Sequence, residues 1–323
     1  MTKINNIDVF NGDADGICAL IQYRLANPAK SELITGVKRD ISLLEKVSAK
    51  PGDQITVFDI SMKKNNTALQ SLLSDGASVF YVDHHISGDI PVHSNLEAII
   101  DSSPITCTSL LVDQYLQGKY RAWAVVAAFG DNMINSAVEA AKALSLSEDK
   151  IAQLKRLGIS VNYNGYGSNI EDLHFKPDQL YREMSTYQSP FDFIGDTHSV
   201  YQELQSGYDR DIAETQNVKP MISMQNSAVY MLPDKLWARR VSGVFGNQLA
   251  NQYPNRAHAI LSQHPDNGFV VSVRAPLNNL DHAGELCQQF PTGGGRKGAA
   301  GINHLPENEL ENFISLLDKT YER

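Results

Sequence analysis

Four short apolar runs within the first 101 residues end in, or lead directly into, acidic or imidazole side chains. This feature limits the possible folds more than any other. Each run is short and rich in Val, Ile, Phe or Tyr, which is typical of a β-strand. Segments with helical spacing of apolar residues separate the runs, so we predict right-handed crossovers and a parallel sheet. The four predicted strands lie in NIDVF, QITVFDI, ASVFYVDHH and EAIID.

The rest of the chain is predicted to complete this domain and add a second one. Helical patterns follow the first strand at 17–25 and recur in SLLVDQYL, in RAWAVVAAFGDNMINSAVEAAKAL and at 148–158. The segment 161–218 is polar, aromatic and rich in turn residues. After residue 226 we predict strands in SAVYML, AHAILSQ and GFVVSVRA, helices near 240–252 and 280–290, and a glycine-rich segment, PTGGGRKGAAG.

These elements predict an α/β protein of two domains. The first is a mainly parallel, Rossmann-like sheet with helices on both faces, and the second is a smaller α/β domain with a mixed sheet. We assign residues 1–190 to a metal-binding catalytic domain, 191–225 to a connector and 226–323 to a substrate-binding domain.

The composition narrows the function classes. The chain of 323 residues has a formal net charge of −9 and no Lys/Arg-rich run, so a protein that tracks long nucleic acids is disfavoured. No apolar run approaches the ~20 residues of a membrane span, and the N-terminus lacks a signal-peptide pattern. We expect a cytoplasmic protein without a membrane partner. Three scattered cysteines, Cys18, Cys107 and Cys287, indicate packed thiols and not a disulfide framework.

The acids and imidazoles are predicted to converge. The carboxyl ends of parallel strands meet at one edge of a sheet, where ligands bind. Carboxylates crowded there do not all ionise unless a cation neutralises them, and carboxylates with a few imidazoles suit Mn²⁺ or Mg²⁺. Each motif alone is an ordinary turn or helix cap. The candidate side chains are Asp13, Asp15, Asp59, Asp83, His84, His85 and Asp131.

The order of these motifs resembles a known family. NGDADG, FDI, VDHH and FGDN resemble the four motifs of the DHH phosphoesterases, and SVRA with GGGRKGAAG resembles their associated carboxyl-terminal substrate-binding domain. The resemblance extends over nearly the whole chain, and residues 161–218 match least. It implies a nano-RNase or oligoribonuclease-like hydrolase with two Mn²⁺ ions, or Mg²⁺ in their place.

The resemblance also implies a role for each side chain. Asp13 and Asp59 would hold one ion, and Asp59 would bridge to a second ion. Asp83 would fix neighbouring geometry, and His85 would face the scissile phosphate and stabilise charge or protonate the leaving oxygen. The ligands implied for the second ion are Asp15, Asp59, His84 and Asp131.

One position departs from the family pattern. Many relatives have a His that ligates the first metal where this chain has Asn11, and others have an Asp there. An amide oxygen is a weaker, neutral ligand, so we expect looser or water-mediated binding of the first ion at Asn11.

The second domain is predicted to bind substrate. Its glycines permit positive φ and a close approach of the backbone, and the two alanines after them could begin a helix. Relatives commonly have His where this chain has Arg296, whose planar charged fork suits phosphate or guanine. The alternative is a flexible basic turn. The candidate residues are Arg274, Gly293, Gly294, Gly295, Arg296 and Lys297.

The leading hypothesis is a Mn²⁺-dependent phosphodiesterase that hydrolyses short RNA oligonucleotides or linear dinucleotides such as pGpG to mononucleotides. We expect no long nucleic acid as partner, and a homodimer as the candidate assembly. Four alternatives stay open. These are a 3′-phosphoadenosine 5′-phosphate phosphatase, a single-strand-specific exonuclease, a pyrophosphatase and a non-catalytic nucleotide-binding regulator.

Overall fold

The computed structural model describes residues 4–264 and 266–322. It forms two compact units, Met1–Tyr208 and Asp209–Arg323. The boundary falls inside the segment 191–225 that we assigned to a connector, and this segment forms helices and an edge strand. The assignment of catalysis to one unit and substrate binding to the other stays a prediction.

The first unit contains an all-parallel sheet of five strands, which confirms the predicted fold class. Its strand order is β2-β1-β3-β4-β5. Phe10 lies opposite Phe58, and Phe58 lies opposite Val82, so the central strands end at the same level. The residues after them therefore share one edge. The strands are β1 (Asn6–Phe10), β2 (Ser31–Ile34), β3 (Gln54–Phe58), β4 (Ser78–Asp83) and β5 (Leu96–Ile100).

Helices pack on both faces of this sheet, as predicted. Successive strand residues point to opposite faces, so Val9 packs in a core with the helix of Met62–Ser74. Phe10 packs in the opposite core with several other helices, including the helix of Ala14–Ala26. The helices of this unit are α1 (Ala14–Ala26), α2 (Met62–Ser74), α3 (Thr108–Tyr115), α4 (Arg121–Gly130), α5 (Ile134–Lys142), α6 (Glu148–Asn164), α7 (Pro177–Met184) and α8 (Pro190–Gly195), and the unit boundary falls within α9 (Tyr201–Thr215).

The second unit contains a six-stranded mixed sheet, also as predicted. Its order is β10-β11-β9-β8-β7-β6, and all neighbours are antiparallel except β7 and β8. The strands are β6 (Pro220–Ser223), β7 (Ser227–Met231), β8 (Ala257–Gln263), β9 (Phe269–Arg274), β10 (Gly293–Gly295) and β11 (Ala299–Leu305), and the helices are α10 (Leu236–Gln252), α11 (Ala283–Gln288) and α12 (Leu310–Thr320).

Helices also pack on both faces of this second sheet. Val271 and Val273 pack in a core with Leu286 of α11 and Phe313 of α12. On the other face, Phe245 of α10 lies edge-on to Tyr230, with ring centroids 5.4 Å apart. The sheet is therefore shielded by helices on two sides.

The state of the three cysteines agrees with the sequence analysis. Cys18, Cys107 and Cys287 are free thiols, and all are buried. Across residues 4–264 and 266–322, none of the helices combines the length and hydropathy needed to cross a bilayer.

Candidate metal centre

The first two acids lie where β1 ends and α1 begins. Asp13 is the N-cap of α1, and its Oδ1 accepts hydrogen bonds from the backbone amides of Asp15 and Gly16, at 2.9 and 3.2 Å. A short acidic side chain at this position satisfies amides that have no partner within the helix. The cap fixes the orientation of Asp13, and the first helical turn places Asp15 beside it.

Asp59 lies at the end of β3 in a left-handed backbone conformation, with φ of 58°. A residue with a side chain seldom adopts this conformation, and such strain is concentrated at functional sites. Its amide donates to the carbonyl of Val82 at 3.1 Å, which holds the turn against β4. The sharp turn brings the Asp59 carboxylate to the carboxyl edge of the sheet.

His84 presents one ring nitrogen to three carboxylates. Its Nε2 lies 3.4 Å from Asp59 Oδ1, 3.8 Å from Asp15 Oδ2 and 3.8 Å from Asp131 Oδ2. The other nitrogen, Nδ1, lies 3.1 Å from the carbonyl oxygen of Thr106. A carbonyl only accepts, so Nδ1 carries a hydrogen and the neutral ring has its lone pair on Nε2. This is how a protein orients an imidazole for a metal ion.

The N-terminus of α3 holds Asp15. The backbone amides of Thr108 and Ser109 donate to its two carboxylate oxygens at 2.8 and 2.7 Å, and the Ser109 hydroxyl donates to its backbone carbonyl at 2.8 Å. Amides at a helix N-terminus favour a negative charge. These hydrogen bonds hold the Asp15 carboxylate in place although it is buried.

Asp131 completes the cluster from the end of α4. Its Oδ2 faces His84, and its Oδ1 lies 3.0 Å from Nζ of Lys38. The same ammonium forms an ion pair with Asp13 Oδ2 and donates to Asn162 Oδ1 at 3.0 Å. The ring of Tyr166 lies 5.8 Å from this nitrogen. A single lysine thus joins two of the predicted metal-binding acids.

The protonation equilibria reflect this crowding. Burial, with the charges of Asp13 and Asp15, raises the pKa of Asp59 well above its ordinary value. Burial and the Asp131 charge likewise raise the pKa of Asp15. Burial opposes the charged form of His84, but its carboxylate neighbours raise its pKa to about 10. The cluster therefore requires positive charge, from a proton or from a metal ion.

Asp13 differs from the other acids. Burial alone would raise its pKa, but the charge and hydrogen bond of Lys38 lower the pKa of Asp13 below its ordinary value. Its negative charge is already compensated.

His85 lies at the rim of the cluster. Its Nδ1 is 2.7 Å from Oδ1 of the buried Asp83 and 3.9 Å from Asp59 Oδ1, and 45% of its side chain is exposed. Because Asp83 engages Nδ1, Nε2 is the nitrogen left for a ligand or substrate. The buried Oδ2 of Asp83 has no hydrogen-bond partner among the residues described.

The donor set fits a divalent cation. Among the described residues of the first unit, two groups have ligand atoms that all lie within 4.8 Å of one another, namely Asp15 with His84 and Asp131, and Asp59 with His84 and His85. Asp13 belongs to neither group. Asn11, where we expected looser or water-mediated binding of the first ion, has a buried Oδ1 with no partner in the described part of the chain. Buried carboxylates and one imidazole lone pair are the ligands that Mn²⁺ or Mg²⁺ accepts.

In the second unit, the glycines form a strand. Gly293–Gly295 pair with β11 in an antiparallel hairpin, and Gly295 has φ of 143°. A Cβ at Gly295 would lie 2.4 Å from the Ala300 Cα, so a side chain does not fit. The expectation that Ala299 and Ala300 begin a helix was wrong, because both pair with β9 as part of β11.

The predicted basic residues of this unit differ in their surroundings. Arg274 Nε donates to Asn247 Oδ1 at 2.6 Å, and its Nη2 donates to the Gly243 carbonyl at 3.2 Å, so it ties β9 to α10. Arg296 lies exposed at the turn between β10 and β11. Lys297 Nζ lies 3.3 Å from Asp281 Oδ1, with three quarters of its side chain exposed.

Sequence reasoning missed the residues that support the candidate metal ligands. Thr108 and Ser109 begin α3 some 93 and 94 positions after Asp15, so only the tertiary fold brings them to it. Lys38 follows β2, a strand that the sequence analysis did not predict. Recognition of β2 would have placed Lys38 at the same edge of the sheet as the acids.

Comparison with known proteins identifies the fold. A crystal structure of the exonuclease RecJ bound to manganese matches with a TM-score of 0.64 at 16% identity, covering 98% of this chain and 90% of that chain. RecJ from Thermus thermophilus in complex with Mn²⁺ matches with a TM-score of 0.62 at 17% identity, covering 98% of this chain and 52% of that chain. No protein-family model matches the sequence, and no curated protein matches it.

The resemblance to the DHH phosphoesterases is thus confirmed at the level of fold. The chain has the RecJ-type α/β fold in both of its units.

Proposed function

We propose that this RecJ-like protein is a metal-dependent phosphodiesterase that uses Mn²⁺ to hydrolyse short oligonucleotides or linear dinucleotides such as pGpG to mononucleotides. The observation that carries the proposal is the convergence of Asp15, Asp59 and Asp131 on Nε2 of His84. A buried anionic cluster with an oriented imidazole lone pair is costly to a fold unless a cation binds there.

The same residues would bind the ion and prepare the reaction. Asp15, Asp59, His84 and Asp131 would hold the ion, and the amides at the start of α3 keep Asp15 in place. Bound there, a divalent ion would lower the pKa of water to supply a nucleophile and would neutralise the charge that develops on the phosphoryl group.

His85 is placed to act on the leaving group. Asp83 accepts from Nδ1 of His85 and so sets the direction of the ring. A proton held at Nε2 would then be delivered to the leaving oxygen of the phosphodiester. The half-exposed position of His85 lets a substrate reach this nitrogen, whereas Asp15 and Asp59 are buried.

The net charge of the chain and the second unit support the proposed substrate class. A formal charge of −9 disfavours a long polyanion, which would need many positive contacts along its length. Arg296, exposed at the turn of the β10–β11 hairpin, would pair with a terminal phosphate or with guanine. A dinucleotide needs only a few such contacts.

The test is a chromatographic assay with Mn²⁺ against pGpG, other dinucleotides, longer single strands, pyrophosphate and 3′-phosphoadenosine 5′-phosphate. We expect mononucleotides from the dinucleotides, with a kcat/KM above that for every other substrate. His84→Ala should lose roughly 10³-fold or more of this activity, since ligand removal costs several kcal/mol of transition-state stabilisation. Faster cleavage of another substrate would replace the dinucleotide assignment. Nucleotide binding without any product would favour a regulator.

A further inference from the structure

Lys38 lies inside the acidic cluster and contacts three separate segments of the chain. Its ammonium pairs with Asp13 at the start of α1, with Asp131 at the end of α4 and with Asn162 in α6. Only 28% of its side chain is exposed. Surface lysines usually lack several fixed partners because holding a long side chain in one geometry costs entropy. The position of this ammonium is therefore determined by the fold.

The backbone fixes the base of the lysine as well. The amide of Lys38 donates to the carbonyl of Gly165 at 2.8 Å. The carbonyl of Lys38 accepts from Nδ2 of Asn11 at 3.4 Å. Asn11, the weak ligand in the first motif, thus turns its amide nitrogen toward the lysine backbone.

Both oxygens of the Asp13 carboxylate have partners. Its Oδ1 caps α1 through two amides, and its Oδ2 pairs with Lys38. In contrast, Asp15, Asp59 and Asp131 each direct an oxygen at Nε2 of His84. The cluster consequently has two sides, one around His84 and one around Lys38.

We propose that the Lys38 ammonium takes the place of one of the two divalent ions, so that the centre binds a single ion on its His84 side. This inference rests on the proposed function, because it concerns the ion that the phosphodiesterase would use. The ammonium forms ion pairs with Asp13 and Asp131, so its charge already balances carboxylates on this side of the cluster. A divalent ion between Asn11 and Asp13 would lie against this ammonium and be repelled by it.

The assignment gives Lys38 a definite chemical task. It is a permanent positive charge that needs no metal from solution, and it holds Asp13 and Asp131 at a fixed separation. The neutral amide of Asn11 is then sufficient at its position, since no ion depends on it.

The test uses electron paramagnetic resonance of Mn²⁺ bound to the full-length protein. Two ions bridged by a carboxylate give an exchange-coupled spectrum, whereas one ion gives an isolated six-line signal. We expect the isolated signal from the wild-type protein, and a coupled signal from Lys38→Met, which frees Asp13 and Asp131. Lys38→Arg keeps the charge and should keep the isolated signal. Lys46→Met, which removes an exposed lysine paired with Asp40 at 2.7 Å, is the matched control and should also keep it.

Three outcomes decide the matter. A coupled signal from the wild-type protein would overturn the inference, because Lys38 would then leave room for two ions. A Lys38→Met protein that folds, as judged by circular dichroism, and still shows an uncoupled ion would overturn it too. Absence of bound Mn²⁺ from the wild-type protein and all variants would instead refute the proposed function.

Discussion

Oδ1 of Asp83 lies 2.7 Å from Nδ1 of His85, and Asp83 is buried while nearly half of His85 is exposed. The pair joins the end of β4 to the rim of the candidate metal centre. A buried carboxylate that engages one imidazole nitrogen fixes the direction of the other nitrogen. Asp83 is therefore a positioning residue for His85.

Replacement of Asp83 by Asn tests this role. Loss of the carboxylate frees the imidazole ring, and partners of this kind typically contribute 10- to 100-fold. We expect kcat to fall by about that factor, with little change in KM or in Mn²⁺ affinity. The measurement is steady-state kinetics together with a Mn²⁺ titration. An equal loss of metal affinity would show that Asp83 acts on the ion and not on His85.

Asp59→Asn is expected to stabilise the metal-free protein. Folding raises the pKa of Asp59, so the unfolded chain loses this proton at a lower pH than the folded protein does. As the pH rises above 3.8, the presence of Asp59 therefore lowers the free energy of unfolding. Asn also tolerates the left-handed backbone at this position. With EDTA at pH 7, the variant should melt a few degrees above the wild type, and the difference should shrink near pH 4.

With Mn²⁺ present, the wild type should melt at a higher temperature than Asp59→Asn. A ligand that binds only the folded state raises its stability, so the ion should raise the Tm of the wild type and leave that of Asp59→Asn nearly unchanged. The role assigned to Asp59 would be contradicted if the variant melts below the wild type in EDTA. It would also be contradicted if Mn²⁺ raises the Tm of the variant as much as that of the wild type.

Arg296→Ala tests the binding function of the second unit. A hydrogen bond to a charged group is worth about 1.5–3 kcal/mol, so KM for a dinucleotide should rise by roughly 10- to 100-fold while kcat changes little. Lys319→Ala, an exposed lysine in α12, serves as the control and should match the wild type. If KM stays constant for every nucleotide tried, the hairpin does not bind substrate.

Asp211 and Arg240 form a buried, bidentate ion pair in the second unit. Arg240 Nε and Nη2 donate to the two oxygens of Asp211 at 2.6 and 2.9 Å, and both side chains are less than a tenth exposed. Asp211→Ala leaves a buried guanidinium without this partner, so urea denaturation should show a loss of roughly 3–5 kcal/mol. The double variant Asp211→Leu with Arg240→Met should recover most of this loss. A single variant as stable as the wild type would contradict the prediction.

His258 should make the second unit sensitive to acid. Burial, aided by the charge of Arg256, lowers the pKa of His258 to about 4, whereas the unfolded chain takes up the proton near pH 6.5. The contribution of the neutral His258 ring to the free energy of unfolding is therefore fully present above pH 6.5. It declines as the pH falls from 6.5 toward 4.

The measurement for His258 is the pH dependence of the free energy of unfolding. His258→Phe keeps a ring next to Tyr230 and Tyr253 but has no proton to gain. Between pH 7 and pH 4, the wild type should lose on the order of 1–3 kcal/mol more than the variant. Parallel pH profiles would show that His258 is protonated equally in both states.

The sequence predicted those parts of the fold that have a strong local pattern. The strand β1 and the strand β8 appear with the predicted bounds, because β-branched and aromatic residues mark buried strands. The strands β2 and β6 were not predicted, since each is a short edge strand of mixed polarity. The helix α12 was left unassigned although its apolar residues have helical spacing.

The convergence of the candidate ligands was predictable wherever such a residue follows a strand. Asp59 and His84 were found in this way, because a charged or titratable residue after a buried strand is conspicuous. Lys38 and Ser109 were not found, because their partners lie far away in sequence and no local pattern marks them. Chemistry that depends on tertiary contacts alone thus escaped the sequence analysis.

The most direct test is a crystal structure with Mn²⁺ and an anomalous difference map at the manganese edge. The account predicts a peak within bonding distance of His84 Nε2 and of carboxylate oxygens from Asp15, Asp59 and Asp131. A map with no peak there, or with its only strong peak elsewhere, such as near Asp281, His282 and Glu285 of the second unit, would contradict it.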